Sequence, residues 1–307
     1  MPGSAGRRSV FIACAFLLGC AGNATEAAVG DVAGQVHRAA APSGDPVLVG
    51  AGDIADCTTG NDDSTAVLID QFDAVVFTLG DNAYPEATAD DFANCYGPTW
   101  GRNKYRTYPT PGNHEYEVLP DASAYFSYFG DRAGAVGKGY YSYDVGSWHI
   151  IAINSALPKA DLAAQLSWLA SDLAAHKGTC TLAYFHYPLF SSGIYAIPAM
   201  KPIWQVLYNG GVSVVLNGHD HHYERFAPQT PDGVADPVHG IREFIVGTGG
   251  GRGLHPLPYI AANSEVRTNT VYGVLKLTLH LSSYTWEFIP TKSDVFADAG
   301  TESCHQS

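Results

Sequence analysis

Five short β-rich segments recur along this chain, and each runs straight into a metal-ligating side chain. The segments are residues 47–49, 75–79, 108–110, 181–184 and 212–216. They end in Gly52-Asp53, Gly80-Asp81-Asn82-Ala83-Tyr84, Gly112-Asn113-His114-Glu115, Phe185-His186 and Gly218-His219-Asp220-His221. One economical arrangement accounts for five strands that all stop at a carboxylate, amide or imidazole. Their loops meet at one edge of a sheet and build a metal site. Taken singly, each residue has an ordinary explanation. An Asp after a strand forms turns, His186 ahead of Pro188 fits a packed imidazole, and Tyr84 beside Pro85 fits a packed ring. The ordinary explanation fails for the set of seven: Asp53, Asp81, Tyr84, Asn113, His186, His219 and His221.

The donor types constrain the metal. Asp53 and Asp81 are hard anionic oxygen donors, the three histidines are neutral nitrogen donors, and Asn113 offers an amide oxygen. Tyr84 binds only as a phenolate, which takes a strongly acidic ion such as ferric iron near neutral pH. This mixture suits Fe, Zn or Mn better than Ca or Cu(I). Seven donors exceed one tetrahedral ion and suit two ions that share a carboxylate. Two such ions clamp a phosphoryl group in transfer and generate a hydroxide, so no nucleophilic side chain is needed. Accordingly the chain holds no G-x-S-x-G elbow and no P-loop.

The remaining pattern predicts a layered α/β fold, with two sheets packed together and helices outside. Leu162, Leu166, Leu169 and Leu173 mark a helix over residues 161–176, which Gly178 closes. Further helices are expected at 65–71, 122–129 and 202–209. Residues 140–145 and 149–153 read as a hairpin about Gly146-Ser147. Late strands are expected at 242–246, 271–280 and 284–289, and residues 85–107 as an irregular wall. With 307 residues, 46% of them hydrophobic, the chain can bury one large core. The net charge of −13 argues against nucleic acid as a routine partner.

Residues 1–22 read as a signal peptide: Arg7-Arg8, then an apolar run over 10–18 too short to span a bilayer. Leu17-Leu18-Gly19-Cys20 matches a lipobox, which would place a lipid on Cys20; the alternative is ordinary cleavage among the small residues of 20–28. The expected location is secreted, periplasmic or at the cell surface, with membrane contact only through that lipid. Residues 23–44 read as a flexible linker and 45–307 as the catalytic domain. Four cysteines outside the leader allow three connectivities. Cys57 follows the first metal loop and Cys95 the second, so these two are expected to pair, leaving Cys180 for Cys304. Two disulfides imply an oxidising compartment.

The five blocks in order resemble the metallophosphoesterase (calcineurin-like) superfamily, and within it the purple acid phosphatases. Gly218-His219-Asp220-His221-His222-Tyr223-Glu224-Arg225, Tyr140-Tyr141-Ser142-Tyr143-Asp144, Gln165-Leu166-Ser167-Trp168-Leu169 and Val246-Gly247-Thr248-Gly249-Gly250 add to the match over about residues 47–290. The resemblance implies a four-layer α/β/β/α sandwich of two mixed sheets, with the metal site at their loop edge. It implies Fe3+ held by Asp53, Tyr84 and His221, and Fe2+, Zn2+ or Mn2+ held by Asn113, His186 and His219, with Asp81 bridging. His114 is the implied catalytic residue, stabilising charge or protonating the leaving group. The function expected is hydrolysis of a small phosphate monoester by an exported enzyme. The alternatives are a phosphodiesterase or nucleotidase on the same fold and a non-catalytic surface binding protein.

One departure stands out. The family commonly carries a second substrate-facing His nine or ten residues beyond the position of His186; here Ser191-Ser192-Gly193-Ile194-Tyr195-Ala196 holds none. Tyr195 is a poorer proton donor, so a flatter or less acidic pH profile is expected, with Glu115 the first acid to examine otherwise. His222 is expected to point away from the ions, and Glu224 and Arg225 to brace the loop. His37, His149, His176, His239, His280 and His305 are assigned to surface or packing. His255, after Gly249-Gly250-Gly251-Arg252-Gly253-Leu254, either borders the cleft or lies in a tight connection.

Overall fold

The computed structural model describes residues 37–38, 44–293 and 296–305. The expected signal peptide and lipidated Cys20 lie outside them, as does most of the expected linker. Two mixed sheets dominate. One has six strands in the order Asp298–Ser303, Ser283–Pro290, Gly273–Leu279, Val47–Ala51, Val75–Thr78 and Thr107–Tyr108. The other has eight, in the order His37–Arg38, Tyr141–Val145, Trp148–Ala152, Cys180–Phe185, Val214–Asn217, Arg242–Val246, Tyr223–Phe226 and Ser264–Thr268. Val47–Ala51, Val75–Thr78 and Thr107–Tyr108 run parallel to one another, and so do Cys180–Phe185 and Val214–Asn217. The donor loops therefore leave the carboxyl ends of parallel neighbours, the usual ligand-binding edge of α/β sheets.

Strand periodicity explains the layering. Along Cys180–Phe185, Leu182 and Tyr184 face the core shared by the two sheets, while Ala183 and Phe185 face the outer helices. The same alternation holds for Val214 and Leu216 against Val215, and for Ile150 and Ala152 against Ile151. A sheet buried on both faces reads as a continuous apolar run, which is how these segments appear in the sequence. Helices Leu162–Ala175 and Lys201–Asn209 cover the eight-stranded sheet through Leu169, Leu173, Ile203, Trp204 and Leu207. Asn61–Asp70 and the 3-10 helix Trp100–Arg106 pack beside the six-stranded sheet. The layered arrangement matches the expected sandwich.

Several details differ from the sequence reading. The first helix begins at Asn61 rather than 65, because Gly60 turns the chain in at φ 64°. Residues 85–107 are less irregular than expected: Phe92–Tyr96 and Trp100–Arg106 are helical, and Thr88 caps this stretch with a capping box to Asp91. Tyr223–Phe226, Ser264–Thr268 and Asp298–Ser303 are strands that the sequence reading leaves unassigned. His37–Arg38, within the stretch read as a linker, pairs in parallel with Tyr143 and Asp144. Both disulfides connect as expected, Cys57 to Cys95 and Cys180 to Cys304. The second ties the last strand to the start of Cys180–Phe185, the strand end opposite the donor loops. No helix among the described residues is long and apolar enough to cross a membrane.

Candidate metal centre

Three of the seven donors sit in left-handed backbone: Asp53 at φ 58°, Asp81 at φ 49° and His219 at φ 68°. A non-glycine residue there costs on the order of 1–3 kcal/mol and persists only where its surroundings impose it. The buried core outweighs this cost, since each fully buried Leu, Ile or Phe contributes roughly 1.5–3 kcal/mol. Neighbouring glycines make the close approach feasible. A Cβ on Gly218 would lie 2.7 Å from Asp53 Oδ2, and one on Gly80 would lie 2.7 Å from His186 Nδ1. That is the physical content of the Gly-Asp and Gly-His pairs in the motifs.

The donors converge in two sets. Tyr84 Oη lies 3.0 Å from Asp53 Oδ1, 3.1 Å from His221 Nε2 and 3.2 Å from Asp81 Oδ2. His221 Nε2 is 3.2 Å from Asp53 Oδ1. In the second set, His186 Nε2 is 3.1 Å from Asn113 Oδ1, 3.1 Å from His219 Nδ1 and 3.3 Å from Asp81 Oδ2. Asp81 Oδ2 therefore touches both sets. Spacings near 3 Å match the edge of a coordination polyhedron with metal–ligand bonds of about 2.1 Å. Five of the seven donor residues (Asp53, Asp81, Tyr84, His186 and His221) are buried.

Backbone acceptors orient the imidazoles. His186 Nδ1 lies 2.7 Å from Leu79 O and His221 Nδ1 lies 3.0 Å from Gly253 O. A carbonyl can only accept, so each Nδ1 carries a proton and each Nε2 faces the donor cluster. His219 reverses the arrangement and presents Nδ1 to the cluster; its backbone N–H holds Asp53 Oδ2 at 2.8 Å.

The electrostatics describe buried carboxylates, a phenol and imidazoles that set one another's charge. Burial, together with the Asp53 and Asp81 carboxylates, pushes the Tyr84 phenol well above its ordinary range. Burial opposes charge on His186, but Asp81 outweighs it and raises the imidazole to about 9. Burial and the neighbouring His186 push His219 down to about 4. Burial opposes the charge on Asp53 and Asp81, yet His221 and His186 outweigh it and hold both carboxyls below their ordinary range. Two hard carboxylates, a phenol, an amide and three imidazoles, their donor atoms within coordination spacing, fit a pair of metal ions.

His114 lies at the rim. Its Nδ1 is 2.6 Å from Pro85 O and 3.1 Å from Glu117 Oε2, both acceptors, so Nδ1 bears the proton. Nε2 is 3.7 Å from Asp81 Oδ2, and the ring packs edge-on to Tyr84 at 4.7 Å. Tyr195 stands at the mouth, its ring 5.2 Å from that of His219 and 5.1 Å from that of His255.

Glu115, the acid to examine if the pH optimum proved sharply acidic, lies beneath the donor loops. It is buried and accepts from the backbone N–H groups of Asp81 at 3.1 Å, Asn82 at 2.8 Å and Gly112. Burial first, and then Asp81, raise its carboxyl to about 6. Its lone pairs are spent on two donor loops, so it braces them instead of meeting substrate. Asp220 does the same on the other sheet, accepting from Ser191 Oγ at 2.6 Å and Tyr195 N at 3.1 Å. His255 borders the site, stacked on His221 at 4.0 Å, and its Nδ1 accepts the His221 backbone N–H at 3.0 Å. His222 turns away to Glu224 at 3.0 Å, and Arg225 pairs with Asp298, as expected of bracing residues. His149 is buried with Asp144 at 3.0 Å and Asp172 at 2.7 Å. Both of its nitrogens are taken, which suits an imidazolium clamp better than a metal ligand.

The family model of the calcineurin-like phosphoesterases matches residues 28–223. The chain belongs to the calcineurin-like phosphoesterase family. Purple acid phosphatase 18 of Arabidopsis thaliana is 30% identical over 240 residues, covering 71% of this chain and 53% of that protein. Purple acid phosphatase 15 of the same plant is 27% identical, covering 62% and 42%. The chain thus spans about half the length, or less, of these curated relatives. Among solved structures, the purple acid phosphatase PPD1 from yellow lupin superposes with a TM-score of 0.70 at 19% identity, covering 87% of this chain and 56% of that one. GAP50, described as the anchor in the inner membrane complex of Plasmodium, gives 0.64 at 15% identity, covering 86% and 90%. The shared fold therefore includes a protein described as an anchor, and function in this family has to be argued from the site.

Proposed function

We propose that this calcineurin-like phosphoesterase is an exported phosphatase that cleaves phosphate monoesters at a dinuclear metal centre. The observation that carries the reading is the convergence of seven donors in two sets that share Asp81 Oδ2, with His114 at the rim. Asp53, Tyr84 and His221 would hold one ion, ferric iron on the strength of the phenol. Asn113, His186 and His219 would hold a divalent Fe, Zn or Mn, with Asp81 common to both. When bound, such a pair supplies Lewis acidity to a phosphoryl group and a water made acidic enough to attack at neutral pH.

The chain's own residues supply position and protons. His114 is held by Pro85 O through Nδ1, which leaves Nε2 to meet the phosphoryl group or the departing oxygen, as a donor when the ring carries its second proton. Glu115 and Asp220 hold the loops of the two sheets in register, so the donors need little rearrangement. Tyr195 narrows the mouth beside His219. Export rests on the leader pattern of residues 1–22 and on the two disulfides, which need an oxidising compartment.

The test compares a chromogenic phosphomonoester with the matching bis-ester, using purified chain supplied with Fe, Zn or Mn. The monoester should turn over faster, and iron-loaded protein should show a visible charge-transfer band from Tyr84. Asp81→Ala should abolish turnover and lower the content of both metals. Faster bis-ester cleavage would make the protein a diesterase, and bound metal without turnover of either would make it a binding protein.

A further inference from the structure

The glycine-rich loop that closes the first donor set contains one residue that glycine logic does not explain. In Gly249-Gly250-Gly251-Arg252-Gly253, Arg252 adopts φ 47°, a left-handed conformation that favours glycine. The loop is otherwise built against the site. Gly251 N–H donates to Asp53 O at 2.8 Å, and a Cβ on Gly251 would lie 2.2 Å from Tyr84 Cε2. Gly253 O fixes the His221 tautomer. Tyr272 Oη donates to Arg252 O at 2.7 Å and holds the strained residue itself. A large side chain is thus kept where its backbone is least comfortable, on a loop whose position the donor set determines.

The guanidinium of Arg252 stands over the Tyr84 ring, 5.2 Å from its centroid, and is exposed. Among the described residues, the Tyr84 ring is the one partner of that guanidinium, with no carboxylate paired to it. A guanidinium has no lone pair to ligate a metal and is repelled by one. Over the Tyr84 ring it keeps its N–H donors unpaired among the described residues and so open to an anionic ligand. On the phosphatase reading a phosphoryl group would sit at the phenol-oxygen end of Tyr84, beside His114. Arg252 stands on the same tyrosine, 5.2 Å from its ring centroid. Its planar fork of N–H donors matches the oxygens of a phosphate.

We infer that Arg252 is a specificity-determining residue that binds a second phosphoryl group on the leaving side of the substrate. The substrate class this selects is the diphosphate: pyrophosphate or a nucleoside 5′-diphosphate, whose terminal phosphoryl group sits at the centre while the next one reaches Arg252. The inference rests on the phosphatase reading and extends it to a terminal phosphoryl group whose leaving group is a phosphate instead of an alcohol.

The experiment uses the full metal-loaded chain and two substitutions. Arg252→Asn removes the charge with a residue that tolerates left-handed backbone; Arg252→Lys keeps the charge and loses the fork. Turnover of a nucleoside 5′-diphosphate and of pyrophosphate is compared with that of p-nitrophenyl phosphate, whose leaving group carries no phosphoryl. The ratio of kcat/KM for diphosphate over p-nitrophenyl phosphate should fall about tenfold in Arg252→Asn, the size of one charge-assisted contact at an exposed site, with partial recovery in Arg252→Lys. Calorimetry gives a second readout without turnover: affinity for inorganic pyrophosphate relative to orthophosphate should fall by a similar factor. A ratio unchanged within twofold overturns the inference. So does an equal loss on all substrates accompanied by lost metal, which would make Arg252 a cover for Tyr84 only. If the wild-type chain hydrolyses none of these substrates, the phosphatase reading falls, and the calorimetric ratio still decides the role of Arg252.

Discussion

Alanine at Gly112 should disable the centre without removing a single donor. A Cβ there would lie 2.2 Å from Asp81 Oδ1, 2.6 Å from Asp81 N and 2.9 Å from Asp81 Cγ. Ordinary contact begins at about 3.4 Å, so the shared carboxylate must retreat by about 1 Å. It has nowhere easy to go. Asp81 Oδ1 accepts from His114 N–H at 2.9 Å, and Asp81 N donates to Glu115 at 3.1 Å. Gly112 is not among the left-handed glycines, so the substitution carries no backbone penalty and its whole effect is contact. Overpacking of this kind costs about 1–3 kcal/mol, a fall in Tm of a few degrees for a domain of this size. A displacement of about 1 Å at a reacting centre costs about a hundredfold in rate. The assay is kcat/KM on a chromogenic phosphomonoester together with metal content and Tm. Gly137→Ala is the control: Gly137 has φ 78° and nothing within 4 Å of an added methyl, so stability should fall while the rate holds. If Gly112→Ala keeps its metals and a rate within threefold of wild type, Asp81 is not the shared element.

His114→Ala should keep both ions yet lose roughly 10²–10⁴ in rate, the usual range for a group that moves a proton or meets developing charge; loss of metal in that variant would make His114 a ligand instead. His149 should give the fold a pH dependence. Burial opposes its charge, but Asp172 and Asp144 outweigh burial and raise its pKa. A raised histidine contributes stability that is fully present below about 6.5, the ordinary histidine value, and is lost as pH rises through the folded-state value. The difference in Tm between wild type and His149→Gln should therefore shrink as pH rises from 6 to 9. Parallel curves would show that His149 is not charged in the folded protein.

The side chains that converge were legible in the sequence because each ends a local strand pattern. Val75–Thr78 followed by Gly80-Asp81 and Cys180–Phe185 followed by His186 need no distant information to be read as strand and loop. The hairpin Tyr141–Val145 with Trp148–Ala152 and the helix Leu162–Ala175 were legible for the same reason, a local period matched to local geometry. Strands Ser264–Thr268 and Asp298–Ser303 were not. They are short, largely polar and held by distant partners, so their own residues carry little strand signal. Glu115 shows the limit most clearly. Its sequence position beside His114 suggested an acid for catalysis, while its actual partners are backbone N–H groups of Asp81 and Asn82, 34 and 33 residues away.

The chain order alone determined which side chains end the strands and what metals such side chains suit, and it narrowed the cysteine pairing to an expectation. Tertiary structure alone decided that Asp81 touches both donor sets, that Asp53 is held by a backbone N–H 166 residues away at His219, and that Arg252 overlies Tyr84. The reason is physical. Strand identity follows from neighbours along the chain, whereas these contacts exist only once two sheets have packed with their carboxyl edges together, and no local stretch of sequence encodes that packing.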